Sequence, residues 1–144
     1  MENFKFEKSY GRLLGLANSY VSRRLSKYMR EQKVPVTPEQ FRLLTHLWHQ
    51  DGLTQQELAD GTHRDKANVT RILDILEREI IIERRNDPKD RRVYKIFLTA
   101  KGKEIERDAA ECSMLAINDA LKDVTKEEIE MCKNVLNTTI KNLE

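Results

Sequence analysis

Two helix-start signals succeed one another closely near the middle of this chain, and between them there is room for only one short helix. Thr54, with Glu57 three positions on, forms a capping box: the hydroxyl takes an amide hydrogen of the first turn and the carboxylate reaches back to the cap. The helix so opened runs through Leu58 and Ala59, and Gly61 is expected to terminate it. Asp65 can cap the next, in which Val69, Ile72, Leu73 and Leu76 recur at helical spacing as a buried stripe. Lys66, Asn68, Thr70 and Arg71 lie largely off that stripe, so a polar face is left free.

From Ile80 the period changes. Ile80, Ile81 and Ile82 favour extended structure, Asn86, Asp87 and Pro88 signal a turn, and Val93, Ile96 and Leu98 resume a β-prone stretch. The pair reads as a hairpin with a charged tip. A helix-turn-helix succeeded at once by a basic hairpin is a winged helix, with the reading helix near residues 65 to 79 and the wing near 84 to 95. Upstream, Tyr10, Leu13, Leu14, Ala17, Val21, Leu25, Tyr28 and Met29 form one apolar stripe on a helix that ends before Pro35. Thr37, Pro38 and Gln40 then supply an N-cap, a proline at the first helical position and a capping-box partner for a helix that stops near Asp51 and Gly52. Downstream, Thr99 caps a long helix and Thr125 with Glu128 opens the last. The fold class is therefore mainly α with a small β-hairpin wing.

Composition narrows the function by distribution more than by total. Lys and Arg number 26 against 24 Asp and Glu, a formal charge of +2. Arg84, Arg85, Lys89, Arg91, Arg92 and Lys95 nevertheless crowd one segment opposed only by Asp87 and Asp90, while acids prevail after Glu104. A basic centre joined to an acidic end suits anion binding at one place. Cys112 and Cys132 make no disulfide framework and sit on apolar stripes, as small core residues do. No apolar run approaches the roughly 18 residues of a spanning helix, and Glu2, Lys5, Glu7 and Lys8 do not read as a signal peptide. A cytoplasmic protein without a membrane partner is expected. No glycine-rich phosphate loop, His-Glu-x-x-His or Ser-x-x-Lys pairing is found, so the chain does not read as an enzyme and implies no cofactor. His46 and His49 are three apart on one helix, yet two ligands do not make a metal site.

The polar face and the wing carry the chemistry. Short or forked side chains near the N-terminal half of a helix reach base edges in the major groove; Asn can pair bidentately with adenine and Arg with guanine. Lys66, Asn68, Thr70 and Arg71 meet that need, a solvated helix face being the competing reading. Lys89, Arg91 and Arg92 beside a proline-containing turn suit a narrow minor groove, with Asp90 holding one arginine in register. Thr54, Gln55 and Arg64 are candidates for phosphate contact, which positions without reading sequence.

The run Ile82-Glu83-Arg84-Arg85, then Asp87-Pro88-Lys89-Asp90-Arg91-Arg92, then Leu98-Thr99-Ala100-Lys101-Gly102 resembles the MarR family, in which an Asp-Arg-Arg wing and a subsequent Leu-Thr-x-x-Gly recur. The similarity runs ungapped from about Thr54 to Gly102. It implies a homodimer in which the first and last two helices interlock, so that residues 1–35 form an N-terminal dimerisation helix, 36–99 the DNA-binding domain and 100–144 C-terminal dimerisation helices. The apolar stripes of those helices favour a symmetric partner independently. It further implies a repressor on double-stranded DNA, bound at a pseudo-palindrome and released by a small-molecule effector. Tyr20, Trp48 and Met114 are candidate lining residues for that effector. Ile80 stands where the family usually has Gly, and Ile resists the left-handed conformation such a helix stop uses, so a differently built junction to the wing is expected. Two alternatives remain: a metal-responsive regulator of the same fold, and a winged-helix protein–protein adaptor without DNA reading.

Overall fold

Ser9 opens the first helix, its hydroxyl accepting the Arg12 amide at 3.3 Å, and α1 spans Tyr10–Glu31. The structure, a computed structural model, describes residues 9–144; the expectation drawn from Glu2, Lys5, Glu7 and Lys8 lies outside them. Lys33 takes a left-handed φ of 57° and lets the Val34 amide return to the Met29 carbonyl at 2.8 Å, which closes α1 before Pro35. Both central capping boxes form as expected. Thr37 and Gln40 open α2 (Pro38–His49), and Thr54 and Glu57 open α3 (Gln55–Thr62). Asp65 caps α4 (Lys66–Arg78) by accepting the Asn68 amide at 2.7 Å.

Leu53–Thr54 is a short strand, β1, that no local pattern in the sequence marks. It pairs with β3 (Tyr94–Leu98), which pairs on its other side with β2 (Ile82–Asn86), giving an antiparallel sheet of order β1-β3-β2. The Asp51 carboxylate supports this edge by accepting the Leu98 amide at 2.9 Å. Thr99 then caps α5 (Ala100–Ala120) and a Thr125–Glu128 box opens α6 (Lys126–Leu143). The architecture is a winged helix-turn-helix flanked by long helices. No helix among the described residues is long and apolar enough to cross a membrane.

The core gathers one face of each central element: Leu43, Leu44 and Leu47 of α2, Leu58 of α3, Val69, Ile72, Leu73 and Leu76 of α4, and Ile82 and Ile96 of the sheet. Ala109, Cys112 and Ala116 line the buried face of α5, and their small size lets it lie along α1, which contributes Leu25 and Met29. Arg24 and Tyr28 of α1 reach Asp119 of α5 at 2.5 and 2.6 Å; the Tyr28 hydrogen bond, then that of Arg24, holds the Asp119 carboxyl below its ordinary range. In contrast α6 has no buried residue, so Cys132 is exposed and only Cys112 is a core residue of the kind the stripes predict.

Two helix ends depart from expectation. Gly61 does not terminate α3; it lies inside the helix, where an added Cβ would stand 3.1 Å from the His46 ring, and His63 at φ 51° makes the stop instead. Ile80 is not extended, and the junction to the wing is not built differently. Ile80 adopts the left-handed turn at φ 60°, with its amide on the Glu77 carbonyl at 3.0 Å and that of Ile81 on the Leu76 carbonyl at 2.9 Å. These are the two bonds of a Schellman stop, accompanied by burial of both Leu76 and Ile81. The side chain that should forbid this points outward and is 67% exposed, so crowding is confined to its own backbone.

Gly102 is required for a different reason. A Cβ there would overlap the Ile81 carbonyl oxygen, which already accepts the Thr99 amide at 3.1 Å, and the Gly102 carbonyl accepts the Trp48 indole N–H at 2.9 Å. The first turn of α5 is thus seated directly on the entry to β2. Gly102→Ala should lower unfolding free energy in urea by about 2–3 kcal/mol, the order of an overpacked core. Ile80→Gly should do the reverse: relief of a left-handed conformation worth about 1–2 kcal/mol is partly offset by glycine's greater unfolded entropy, leaving a gain of about 0.5–1 kcal/mol. A loss of stability in Ile80→Gly would contradict this account of the turn.

Candidate nucleic-acid interface

With Val69, Ile72, Leu73 and Leu76 buried, helical spacing turns Ala67, Thr70, Arg71, Asp74 and Arg78 to the opposite side of α4. Thr70 and Arg71 belong to this face as the sequence predicts, and Lys66 lies exposed at its edge. Asn68 sits elsewhere: it is half-buried on the flank, and its Oδ1 is enclosed without a partner among the described residues. Ala67, Asp74 and Arg78 are not among the residues predicted for the face, although counting outward from the buried stripe finds them.

The exposed face is braced by its neighbours. Gln55, at the first position of α3, donates from Nε2 to the Thr70 hydroxyl, which in turn donates to the Lys66 carbonyl at 2.8 Å. The Thr54 hydroxyl accepts the Glu57 amide at 3.1 Å as the cap of α3. Glu39, in the first turn of α2, takes one guanidinium on each oxygen: Arg64 Nη1 on Oε1 and Arg71 Nη2 on Oε2, both at 3.0 Å. One N–H of each arginine is used, so each keeps further donors for an incoming acceptor.

At the wing, two Asx turns shape the tip. Asp87 Oδ1 accepts the Lys89 amide at 2.8 Å and Asp90 Oδ1 accepts the Arg92 amide at 3.0 Å, while Asn86 Nδ2 donates to the Arg91 carbonyl at 2.8 Å. Asp90 therefore orders the loop chiefly through backbone, with the Arg92 Nε at 3.7 Å from its carboxylate. The heads of Lys89, Arg91 and Arg92 are left outward, Arg92 with 95% of its side chain exposed. The other basic residues of this segment are engaged. Arg85 pairs with Glu83 and lies 4.4 Å over the Phe97 ring, and Lys95 is 3.9 Å from Asp87.

Arg84 turns inward instead. Only 16% exposed, it donates from Nη2 to Asp74 at 2.8 Å and from Nη1 to Glu77 at 3.0 Å, and its amide donates to the second Glu77 oxygen at 3.2 Å. Strand β2 is thereby fastened to the outer flank of α4 by charge-assisted bonds. No local signal distinguishes this role, since Arg84 and Arg85 differ only in strand parity, whose sense depends on where β2 begins.

Two concave regions border α5. One of about 510 Å³ lies between α1 and α5 and includes Tyr20, Arg23, Arg24, Lys27 and Asp119; the other, about 420 Å³, lies between α2 and α5 and is lined by Phe41, Thr45, Trp48, His49, Glu106 and Ala110. Tyr20 and Trp48 thus belong to separate grooves and Met114 lines neither, so the three do not form one site. Among the described residues no three His, Cys, Asp or Glu side chains are grouped to hold a metal ion, and His46 packs against Gly61. Burial, with Glu111 and Asp108 nearby, pushes the Cys112 thiol up, away from the reactive thiolate.

Known proteins share this fold. The MarR family model matches residues 36–94. The uncharacterized HTH-type transcriptional regulator YdgJ of Bacillus subtilis is 30% identical over 112 residues, covering 76% of this chain and 68% of that protein. MhqR of the same organism, also an HTH-type transcriptional regulator, is 27% identical over 132 residues, 90% of each chain. The crystal structure of the S. aureus MepR–DNA complex superposes with a TM-score of 0.84 at 25% identity, covering 93% of this chain and 98% of that one. With its capped helix pair, fastened wing and Leu-Thr-x-x-Gly seat for α5, the chain belongs to the MarR family of winged-helix transcriptional regulators.

Proposed function

We propose that this chain is a sequence-specific DNA-binding regulator that acts in the cytoplasm as a homodimer, represses transcription by occupying a pseudo-palindromic operator, and is released by a small molecule. The observation that carries the reading is the Arg84 bridge to Asp74 and Glu77, because it makes α4 and the wing one rigid unit. A helix and a hairpin held so can engage a major groove and the adjoining minor groove together. Arg71 and Thr70 are assigned to base edges, Lys66 to the edge of the same groove, Arg64 and the first turn of α3 at Thr54 and Gln55 to phosphates, and Lys89, Arg91 and Arg92 to the minor groove, with Asp90 ordering them. Asn68 takes part only if its amide turns outward on binding. The similarity to MepR, whose structure is a DNA complex, supports the same partner.

Dimerisation is supported by the apolar surface that the chain leaves uncovered. Leu13, Leu14 and Leu16 of α1, Met114 and Ile117 of α5, and Met131, Val135 and Ile140 of α6 are all exposed, apolar surface of the kind that marks an association face. On this reading residues 1–35 and 100–144 serve dimerisation and 36–99 bind DNA. The α2/α5 groove, with Phe41 and Trp48 at 5.8 Å between ring centroids, lies where those two regions meet. An effector wedged there would change the spacing of the two DNA-binding lobes.

Arg92→Ala should leave thermal stability unchanged, its side chain touching little, yet weaken binding to a selected operator and reduce the dependence of log affinity on log salt by about one for each phosphate no longer neutralised. Unaltered affinity and slope would remove the wing from the interface. Replacing Met131 and Val135 together by Glu should yield monomers in sedimentation with the helical content of the central lobe kept, and operator affinity should fall by at least about tenfold once the half-sites are read singly. Dimers of undiminished stability in that variant would exclude α6 from the dimer interface.

A further inference from the structure

Glu39 is an acid placed among the groups assigned to an anionic partner, and its geometry explains why. It stands in the first turn of α2, where the helix dipole favours a carboxylate. From there it joins two other elements, the α3–α4 loop through Arg64 and α4 through Arg71. Arg64 is the less mobile partner, since its amide is fixed to the Ala59 carbonyl at 3.1 Å by the His63 turn and its side chain is half-buried. Arg71 is the more exposed, at 54%, and sits on the outward face of α4. Without the carboxylate these two guanidinium groups would repel, and Arg71 would sample many rotamers.

We propose that Glu39 is the positioning residue for Arg71: it fixes the guanidinium in one orientation, with its remaining N–H groups directed to a base edge, and so sets discrimination between sites more than affinity for DNA. The inference rests on the reading of α4 as the helix that enters the major groove. Its physical content is a trade. An acid beside two cations weakens their attraction to any phosphate, which lowers binding to arbitrary sequence, while a preset fork keeps its pairing with guanine. Removing the charge should therefore act in opposite senses on the two kinds of binding.

The test uses the whole chain and two probes: a duplex selected by the unaltered protein from a randomised pool, and a duplex of the same composition with its sequence scrambled. Glu39→Gln keeps the size of the side chain, and Glu39→Asp keeps its charge but is too short to span both arginines. Each is compared with Arg71→Ala and with the corresponding double variants, and thermal midpoints establish that all are folded. Glu39→Gln should tighten binding to the scrambled duplex, steepen its salt dependence by about one, and lower the ratio of selected to scrambled affinity about tenfold. Glu39→Asp should lower that ratio without the steeper slope. In the Arg71→Ala background neither change should alter the ratio further. If Arg71→Ala lowers the ratio but the Glu39 variants leave it within about twofold, or lower it equally in both backgrounds, the positioning role is overturned while the reading of α4 stands. If Arg71→Ala itself leaves the ratio unchanged, both fall.

Discussion

The short passage from Ile80 to Ile81 holds the molecule together. There α4 ends, β2 begins, the last residues of β3 arrive and the first turn of α5 is seated, all around one backbone carbonyl. The Ile81 oxygen accepts the Thr99 amide, and Gly102 lies so close that no side chain fits between. The Thr99 hydroxyl caps α5 and reaches the Ile80 carbonyl at 2.6 Å, while Lys101 Nζ satisfies that of Glu79 at 2.8 Å. A helix end that would otherwise leave carbonyls unpaired becomes a junction of four elements. This is why a β-branched residue can occupy a left-handed position here: its neighbours over-determine the backbone, and the crowded side chain escapes to solvent.

Electrostatics then decide which charges the junction presents. Many of the cations are paired within the chain, on Asp74, Glu77, Glu83, Asp87, Glu39 and Asp119. At the wing tip Lys89, Arg91 and Arg92 stay outward together, and Arg71 on α4 is held by Glu39. A chain with a formal charge of +2 can therefore offer a concentrated positive edge. The inward turn of Arg84 matters as much as any outward cation, for it determines where the tip lies relative to α4.

Local chemistry is legible in the sequence and long-range consequence is not. The caps at Thr37, Thr54, Asp65, Thr99 and Thr125 form where the sequence predicts them, because a cap depends on residues three positions apart. The buried stripe of α4 is predictable for the same reason. The two-residue strand β1 exists only through its pairing with Ile96 and Lys95, far along the chain, and no local preference marks it. Gly61 has the character of a stop but is small to admit His46, a packing relation visible only in three dimensions. Ile80 by itself would refuse a conformation that tertiary contacts impose, and Cys132 lies on a stripe that its own chain leaves uncovered. Helical faces can be counted from sequence, whereas the rotation of one helix about another cannot, and for that reason Tyr20, Trp48 and Met114 do not converge.

The isolation of α6 has a further meaning. It lends nothing to the core that sets the angle of the wing, so under the dimeric reading its residues can drift without disturbing the choice of DNA site. Related regulators sharing one cell could keep their subunits from mixing by changes confined to this helix, and could acquire new target genes by changes confined to α4. On that reading, choice of companion and choice of address would be written on different stretches of the same polypeptide, free to evolve at separate rates.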